Sequence, residues 1–574
     1  MGTEKHIDPP TVIDFFCGAG GFSEGFRQQG FKIVQGIDSW GPAIRTFNHN
    51  FKLSCTTKNI LDFENSIEEI EDLPDTDVII GSPPCVTFSS SNRSGKADKS
   101  MGVRLTEIFL RIVTIKKYQP NSRLKAWFME NVANSVNYLN DYYTFADLNL
   151  TDWAKKHKLS PGKKAIVLKD NQPIINSADY GSPQIRKRVI SGEFIGKENL
   201  IIPSPSHRPQ DVPGNLPAYI SIGSVKKSLP KPNSGQSDNL ITDPVYNNLK
   251  IKASSLSDHF YDNGLYECEW RQSQFLKVNH PYMGRMSFPE ANDRPSRTIT
   301  ATKIGTSREA IIYRSEYNRI GDGEYRTPTI RESACMMGFP ITYQFLGTEG
   351  VKCRLVGNAV CPSVSRAFAK LTRKELGLSV IDPPQVVLEP DLNGVENLNS
   401  FKPKAFDSPP KRIKGSRFRR HPFKDGNITV TLSNYDIDKN EKTISKWMTS
   451  VQYGNGEGFP TYNYPDDYFK DLEPLIAEIP QGNNFLKIIN NGFTEKIGNK
   501  IILQEMYEDQ RSKEKFLEPT RLIEEVASII EELGVEQEEF VQNRQIIFKN
   551  KEAVPAKQLF ALYAINKIAF VSNK

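Results

Sequence analysis

The chain has 574 residues, of which 38% are hydrophobic and 25% charged, and its formal net charge is +6. That length allows two or more domains with a sizeable core, and no apolar run reaches the roughly 20 residues that cross a bilayer. The seven cysteines are an odd set without a C-x-x-C pair, which argues against a zinc site and a disulfide framework and favours a reducing compartment.

The first predicted βαβ unit contains a glycine-rich turn. Residues 11–16 form an apolar strand, residues 17–22 supply the glycines, and a short helix ends at Gly30. A second apolar run then ends in Asp38, about twenty positions after the turn, an arrangement typical of nucleotide binding. Ser23 stands where the dinucleotide pattern G-x-G-x-x-G requires its third glycine, which disfavours an NAD enzyme.

The next predicted strand is followed by two prolines and then by a cysteine. Residues 77–81 contain an apolar, β-branched run at positions 78–80, and Pro83 and Pro84 stop the strand so that Cys85 follows its end. Ligands bind at this edge of open α/β sheets, so Cys85 is a candidate nucleophile; the alternative is a small buried side chain. The polar segment 90–100, rich in Ser, Gly and Lys, is predicted to be a mobile loop whose cations suit phosphates, or a plain solvated loop.

Two further segments carry charged side chains to this region. A helix with apolar residues at helical spacing ends before Pro120, and residues 124–129 then form a strand that delivers Glu130. A carboxyl at that edge could donate a proton, although an isolated Glu is more often a cap or loop acid. Arg186 and Arg188 alternate onto one strand face, which suits phosphate or base-edge recognition, or surface salt bridges.

Six segments, in order over residues 10 to 372, resemble the motifs of the DNA cytosine-5 methyltransferase family. Residues 14–22 resemble motif I, 83–85 motif IV, 130–132 motif VI, 184–188 motif VIII, 331–340 motif IX and 357–360 motif X. One such match would be weak, but six in family order make coincidence very improbable.

The resemblance implies a mechanism and four catalytic residues. Cys85 would add to carbon 6 of a flipped-out cytosine, and Glu130 would protonate or hydrogen-bond the neighbouring ring nitrogen. Carbon 5 would then accept a methyl group from S-adenosylmethionine. Arg186 and Arg188 would hold the base edge and the adjacent backbone.

The resemblance also implies a cofactor pocket for S-adenosylmethionine and no metal. The residues expected in that pocket are Phe16, Gly18, Gly20, Gly21, Asp38, Asn59, Pro83, Asn358 and Val360. Two positions depart from the family pattern. Asn59 stands where an Asp usually accepts from the adenine amino group, and Val86 replaces the usual Gln or Pro after the nucleophile.

DNA contacts are expected from the loop after Cys85 and from the region before motif IX. Residues 294–302 resemble a recurrent segment of the family's target-recognition domain, and its small polar and Arg side chains could read base edges, contact phosphates or cap turns. The expected DNA-binding residues are Ser89, Arg93, Lys96, Gln184, Arg297, Thr298 and Thr300.

The predicted fold is α/β: a Rossmann-like methyltransferase domain, an inserted small target-recognition domain and an extra C-terminal α+β domain. The predicted boundaries are 10–199 for motifs I to VIII, 200–325 for target recognition, 326–376 for motifs IX and X, 377–427 for a basic linker and 428–574 for the C-terminal domain. In that last domain we expect a strand at 428–432, an amphipathic helix through Leu522 and Leu533, and a helix at 557–570.

The expected function is methylation of cytosine in a specific double-stranded DNA sequence, protecting host DNA from a restriction endonuclease that is encoded nearby and does not bind stably. The alternatives are a tRNA cytosine-5 methyltransferase, disfavoured because the Cys-Phe-Thr segment of that relative is absent, and a catalytically idle DNA-binding homologue. We expect a monomer without membrane contact in the cytoplasm of a prokaryote, associated with the nucleoid.

Overall fold

The computed structural model describes residues 8–84, 100–278, 285–301, 305–403, 420–425, 428–434, 446–453, 461–509, 515–535, 540–542 and 553–574. The chain divides into two compact units. The first contains Met1–Leu265 and Ser273–Ala405, and the second contains Tyr266–Gln272 and Phe406–Lys574.

The strands before the C-terminal region are β1 (Thr11–Phe15), β2 (Lys32–Ile37), β3 (Val78–Gly81), β4 (Ala126–Val132), β5 (Tyr142–Thr144), β6 (Lys164–Val167), β7 (Ile174–Asn176), β8 (Lys187–Phe194), β9 (Leu240–Thr242), β10 (Lys250–Lys252), β11 (Tyr313–Arg314) and β12 (Tyr325–Arg326). The helices are α1 (Gly21–Arg27), α2 (Gly41–Phe51), α3 (Ile67–Glu71), α4 (Ser100–Tyr118), α5 (Thr151–Lys156), α6 (Ile222–Ser228), α7 (Glu267–Val278), α8 (Ile330–Met337), α9 (Glu349–Asn358) and α10 (Pro362–Glu375).

A six-stranded mixed sheet in the order β2-β1-β3-β4-β8-β7 organises the first unit. The strands β2, β1, β3 and β4 run parallel, whereas β8 is antiparallel to both β4 and β7. Phe15 of β1 lies in register with Gly81 of β3, which lies in register with Met129 of β4. The segments that follow these three residues therefore meet at one edge of the sheet.

Apolar layers cover both faces of this sheet. Val78 and Ile80 point into a core shared with α1 and α10, while Ile79 between them points into a core shared with α4. Such continuous β-branched runs are what a parallel strand buried on both faces requires. This arrangement confirms the predicted Rossmann-like α/β fold.

Two details of the sheet differ from the sequence prediction. Strand β4 does not end at Met129 but continues to Val132, because the antiparallel neighbour β8 extends the ladder and pairs Glu130 with Ile190. Glu130 therefore lies inside a strand and not after one. Arg186 precedes β8, so only Arg188 of the two arginines is part of the strand.

Residues 377–403, here called the C-terminal strap, differ from the predicted linker. They belong to the first unit and make specific hydrogen bonds to it. The Gln385 amide donates to the Gln28 carbonyl at 3.0 Å, and Thr342 Oγ1 donates to the Val387 carbonyl at 2.7 Å. Asn399 Oδ1 accepts from the amides of His259 and Phe260 at 2.8 and 2.9 Å. The basic residues 411, 412, 414, 417 and 419 of the predicted linker lie outside the described residues.

The second unit has its own core and confirms the three elements predicted there. Its elements are β13 (Arg420–Asp425), β14 (Ile428–Ser433), β15 (Met448–Tyr453), β16 (Thr461–Tyr464), α11 (Phe469–Ala477), α12 (Gly482–Ile488), α13 (Lys500–Asp509), α14 (Pro519–Glu532), β17 (Phe540–Gln542), β18 (Ala553–Pro555) and α15 (Ala556–Asn573). Strands β13 to β16 form an antiparallel sheet, and the buried helix α15 bonds to it through Gln558 Nε2 and the Ile428 carbonyl at 3.1 Å.

Candidate active site

The carboxyl ends of β1 and β3 are tied to each other at the sheet edge. The Ser82 amide donates to the Phe15 carbonyl at 3.1 Å, and Ser82 Oγ donates to the Phe16 carbonyl at 3.0 Å. Pro83, which follows, is buried, and its carbonyl accepts a long bond of 3.4 Å from Asn131 Nδ2. The segment Ser82–Pro83, which precedes Cys85 in the chain, is thereby hydrogen-bonded to the glycine-rich turn and to β4. Cys85 itself lies outside the described residues.

The glycine-rich turn is held by Asp38. The Gly18 amide donates to Asp38 Oδ2 at 2.9 Å, and the Trp40 amide donates to Asp38 Oδ1 at 2.8 Å. Phe16 adopts a positive φ of 53°, which is uncommon for a side chain of this size and marks a constrained turn. The structure therefore brings the predicted cofactor residues Phe16, Gly18 and Asp38 together.

Motif X closes over the start of α1. A Cβ added to Gly21 would lie 2.1 Å from the Val360 carbonyl oxygen, so only glycine allows this approach. Ser365 Oγ also donates to the Phe22 carbonyl. The predicted cofactor residues Gly20, Gly21 and Val360 thus belong to one packed cluster, although they are separated by over three hundred positions in the chain.

Asp14 carries an unusual charge state beneath this turn. Burial raises the pKa of Asp14 to about 8, even though Ser23 Oγ donates to its Oδ2 at 2.7 Å. Its Oδ1 is buried and has no hydrogen-bond partner within the described ranges. Burial also raises the pKa of Asp38, although hydrogen bonds from the backbone amides of Trp40, Gly18 and Ser39 lower it. Below about pH 8 Asp14 is therefore a neutral carboxyl, which can donate a hydrogen bond from its O–H as well as accept one.

Glu130 and Arg188 form an ion pair beside this edge. Arg188 Nε lies 3.1 Å from Glu130 Oε1, and the two side chains are only 16% and 10% exposed. Burial raises the pKa of Glu130, while the charges of Arg188 and Arg186 lower it. Of the two predicted arginines, Arg188 is the one that contacts the predicted proton donor.

Arg186 has a different position from the one expected. Its guanidinium donates to the carbonyls of Ile299 and Gly357, each at 3.1 Å, and the residue is 5% exposed. A buried guanidinium bonded to backbone in this way links motif VIII to the recognition segment and to motif X. These two bonds orient the segments relative to each other.

Gln184, which was expected to bind DNA, is fully buried. Its Oε1 accepts from the Ile299 amide at 2.7 Å, and its Nε2 approaches Met337 Sδ at 2.8 Å. The side chain is 0% exposed in this structure and faces its own chain, and its expected contact with DNA stays a prediction. The polar residue type suggested contact with a polar partner, but that partner is the protein backbone.

The three described recognition residues lie in one segment with different environments. Arg297 Nε donates to Glu290 Oε2 at 3.2 Å, and Glu290 Oε1 also lies 3.3 Å from Lys277 Nζ. Thr298 Oγ1 donates to the Ile185 carbonyl at 3.1 Å, and Thr300 is exposed. Arg297 is therefore paired with a carboxylate of its own chain, and the expected DNA contacts by Ser89, Arg93 and Lys96 fall outside the described residues.

Asn59 and Asn358 lie at helix ends. Asn59 caps a short 3-10 helix, with its Oδ1 accepting from the Leu61 amide at 3.0 Å, and the preceding Lys58 amide donates to the Asp38 carbonyl at 3.0 Å. Asn358 is the exposed last residue of α9. The loop of Asn59 is thus attached to the Asp38 segment, as the predicted pocket requires.

Trp40 is a neighbour of the site that the sequence analysis missed. Its amide orients Asp38, its ring lies under the Arg354 guanidinium at 4.4 Å, and its Nε1 is buried with no hydrogen-bond partner in the described part of the chain. Its position in the sequence, two residues after the predicted ribose-binding Asp38, is the feature from which its place near the site could have been predicted.

The described residues lack a metal-binding cluster and a membrane-spanning helix. They contain no group of three or more His, Cys, Asp or Glu side chains placed to hold a metal ion. Among the helices that the structure describes, none is long and apolar enough to cross a membrane.

Comparison with known proteins assigns the family. The family model for C-5 cytosine-specific DNA methylases matches residues 10–374. The type II methyltransferase M1.HphI of Haemophilus parahaemolyticus is 29% identical over 374 residues, which cover 63% of this chain and 87% of that protein. M.AplI of Arthrospira platensis is 26% identical over 373 residues, covering 64% and 86%. The solved structure of the Entamoeba histolytica methyltransferase EhMeth is 16% identical, with a TM-score of 0.40 and coverage of 64% and 99%. The match over residues 10–374 shows that the chain belongs to the C-5 cytosine-specific DNA methylase family and is a DNA cytosine methyltransferase.

Proposed function

We propose that the enzyme methylates carbon 5 of cytosine in a specific double-stranded DNA sequence through a transient bond between Cys85 and carbon 6 of a flipped-out base. The observation that carries this proposal is the buried Glu130–Arg188 ion pair. Glu130 follows Met129, which lies in register with Gly81, four positions before Cys85. A nucleophile and a proton donor are thus expected at one sheet edge.

Glu130 is suited to the proton transfer that this reaction needs. Addition of the Cys85 thiolate forms the sulfur–carbon 6 bond and moves electron density to the ring nitrogen, where Glu130 donates a proton or a hydrogen bond. Because burial raises the pKa of Glu130, its carboxyl retains a proton to a higher pH than an exposed one. Once carbon 5 has accepted the methyl group, its proton is lost to a base, the ring nitrogen returns its proton to Glu130, and cleavage of the sulfur–carbon 6 bond restores the ring and the thiolate.

Residues at the turn fit the methyl donor that the family implies. S-adenosylmethionine, when bound, supplies an electrophilic methyl group. The buried Oδ1 of Asp14 and the Nε1 of Trp40 have no partners among the described residues, so one carboxyl oxygen and one indole N–H remain available to a bound ligand. Gly18 leaves open space beside the backbone for that ligand, since a Cβ there would meet only the Phe16 carbonyl at 4.0 Å, and Asp38 is oriented for ribose hydroxyls by two amides.

Arg188 has two proposed roles, one toward the nucleophile and one toward the proton donor. Its charge favours the thiolate form of a nearby cysteine, and its bond to Glu130 limits how far burial raises the pKa of that carboxyl. Arg186 acts as a positioning residue, because both of its described bonds go to backbone carbonyls. Ser89, Arg93, Lys96, Arg297, Thr298 and Thr300 remain proposed DNA contacts, with Arg297 exchanging Glu290 for a phosphate or base edge.

The biological role that we propose is protection of host DNA from a restriction endonuclease. Its support is that the relatives M1.HphI and M.AplI are named type II methyltransferases. Plasmid from cells that express the enzyme should resist one endonuclease, and bisulfite sequencing should show the target cytosine. Methylation of a site that no endonuclease of the host cleaves would indicate a solitary enzyme instead.

Transfer of a tritiated methyl group tests the activity and its alternatives. Duplex DNA should be labelled and tRNA should stay blank with the natural protein, while Cys85→Ala should label neither. Cys353→Ala, which removes a different cysteine thiol that is in no disulfide, should label DNA normally and serves as the control. Labelling of tRNA would establish the RNA enzyme, and absence of any labelling would establish the idle homologue.

A further inference from the structure

A second cavity lies in the first unit, apart from the active site. It has a volume of about 630 Å³, which is within the usual range for small-molecule sites. Its walls are α10, residues 201–207, residues 245–249 and residues 382–386 of the C-terminal strap. None of the described residues assigned above to catalysis, cofactor or DNA lines it.

One face of α10 makes this cavity electropositive. Arg366, Lys370 and Lys374 follow each other at intervals of four, which places them on the same side of the helix, and all three line the cavity. Asp382 is the single carboxylate among its described lining residues, and its Oδ2 lies 3.9 Å from Lys370 Nζ. Within the described lining, three cations therefore face one carboxylate at a long distance, and the charge of Arg366 also interacts with the buried Glu24 behind the wall.

The cations also repel one another. Burial lowers the pKa of Lys370, and the charges of Arg366 and Lys374 lower it further against the effect of Asp382. Burial and Arg366 likewise lower the pKa of His207, which lines the opposite wall. A bound anion would relieve this repulsion.

The cavity also contains hydrogen-bonding groups suited to an anion. Ser363 Oγ is buried in its wall and has no hydrogen-bond partner within the ranges that the structure describes. The Arg366 guanidinium is held in place by Gln28 Oε1 at 3.3 Å and by the Tyr246 ring at 5.2 Å. A preorganised guanidinium, two ammonium groups and a hydroxyl donor are the groups that recognise phosphate.

We propose that this cavity binds the phosphate group of a small ligand of mononucleotide size. The apolar part of the wall, which includes Ile201, Val245 and Pro383, would contact the remainder of that ligand. The same chemistry could come from a phosphate of the DNA backbone, but a recess partly walled by the strap suits a small molecule better than a duplex. This proposal does not depend on the reaction proposed above.

Calorimetric titration of the full-length enzyme with inorganic phosphate, adenosine monophosphate and adenosine tests the proposal. Phosphate and the monophosphate should bind, and adenosine should bind at least about tenfold more weakly than its monophosphate. The double variant Lys370→Gln/Lys374→Gln should weaken phosphate binding by about tenfold or more, and Ser363→Ala by roughly threefold.

The control variant is Lys155→Gln/Lys156→Gln, which removes two exposed lysines from α5 and should bind like the natural protein. Thermal melting should show that all variants fold. Equal phosphate binding by the α10 double variant, or no phosphate binding by the natural protein, would overturn the proposal. Loss of duplex affinity in that variant without any binding of the two small phosphates would assign the cations to the DNA backbone and also overturn it.

Discussion

Arg188 donates from Nε to Glu130 Oε1 at 3.1 Å across the antiparallel pair of β8 and β4. The register places Arg188 opposite Val132, two residues beyond Glu130, so the arginine reaches diagonally over one face of the sheet. This contact fixes the orientation of the carboxyl and offsets part of the effect of burial on its pKa.

Replacing Arg188 with Ala should change the pH dependence of methylation. Because burial already raises the pKa of Glu130 and Arg188 lowers it, the variant carboxyl should titrate at a higher pH. The basic limb of the profile of kcat against pH should move to higher pH, with kcat reduced roughly tenfold or more. Arg123→Ala, which breaks a pair with Asp77 at 3.3 Å, is the control and should leave the limb in place. A downward movement would contradict the proton-donor role.

Gly21→Ala should disrupt the contact between motif I and motif X. The added Cβ would lie 2.1 Å from the Val360 carbonyl oxygen, so the two segments must separate. We expect a loss of about 1–3 kcal/mol in the free energy of unfolding and weaker binding of S-adenosylhomocysteine. Urea unfolding and calorimetry measure the two effects. Gly350→Ala in α9, where nothing lies within 4 Å, should be neutral or stabilising by up to about 1 kcal/mol.

The raised pKa of Asp14 predicts a stability that falls with pH. The unfolded chain ionises Asp14 near the ordinary value of 3.8, whereas the folded protein holds the proton up to about pH 8. The stabilising contribution of the neutral form is complete below pH 3.8 and is lost as the pH rises through this window. Thermal melting of the ligand-free protein should therefore show that Asp14→Asn gains stability over the natural protein at pH 8 and gains less at pH 5. An equal gain at both pH values, or an exposed Asp152→Asn control that behaves like Asp14→Asn, would refute this account.

Asn399→Ala should show that the C-terminal strap stabilises the first unit. Its Oδ1 accepts from the amides of His259 and Phe260, and the substitution leaves both amides without this acceptor. The expected loss is about 2 kcal/mol or more in the free energy of unfolding, measured by urea denaturation. Asn393→Ala in an exposed part of the same strap should change little. If the two variants had equal free energies of unfolding, the strap would not stabilise the first unit and would be a plain linker.

The sequence predicted the sheet and the turn because their signals are local. The β-branched run before Pro83 and the glycines before α1 each reflect a requirement of their own backbone, namely burial on both faces and a close approach. The end of β4 was misjudged because β8, sixty residues away, decides how far the ladder runs.

The hydrogen-bond partners of Gln184, Arg186 and Asn399 could not be predicted from local sequence signals. Each binds backbone groups that are more than a hundred positions distant, and no periodicity records such a partner. The strap has the Pro, Asn and Gly content of a linker, yet single side chains such as Asn399 attach it to the first unit. Residue type indicated that these positions bind something polar, but only the fold identifies the partner.

Trapping with a duplex that carries 5-fluorocytosine at the target position tests the account most directly. In the presence of S-adenosylmethionine, fluorine cannot leave from carbon 5 as a proton does, so the bond from Cys85 to carbon 6 should persist. Mass spectrometry should find a denaturant-resistant adduct that contains one protein, one oligonucleotide and one methyl group, with the modification on Cys85. Absence of this adduct from the natural protein at a site that it methylates, or its formation by Cys85→Ala, would contradict the central claim.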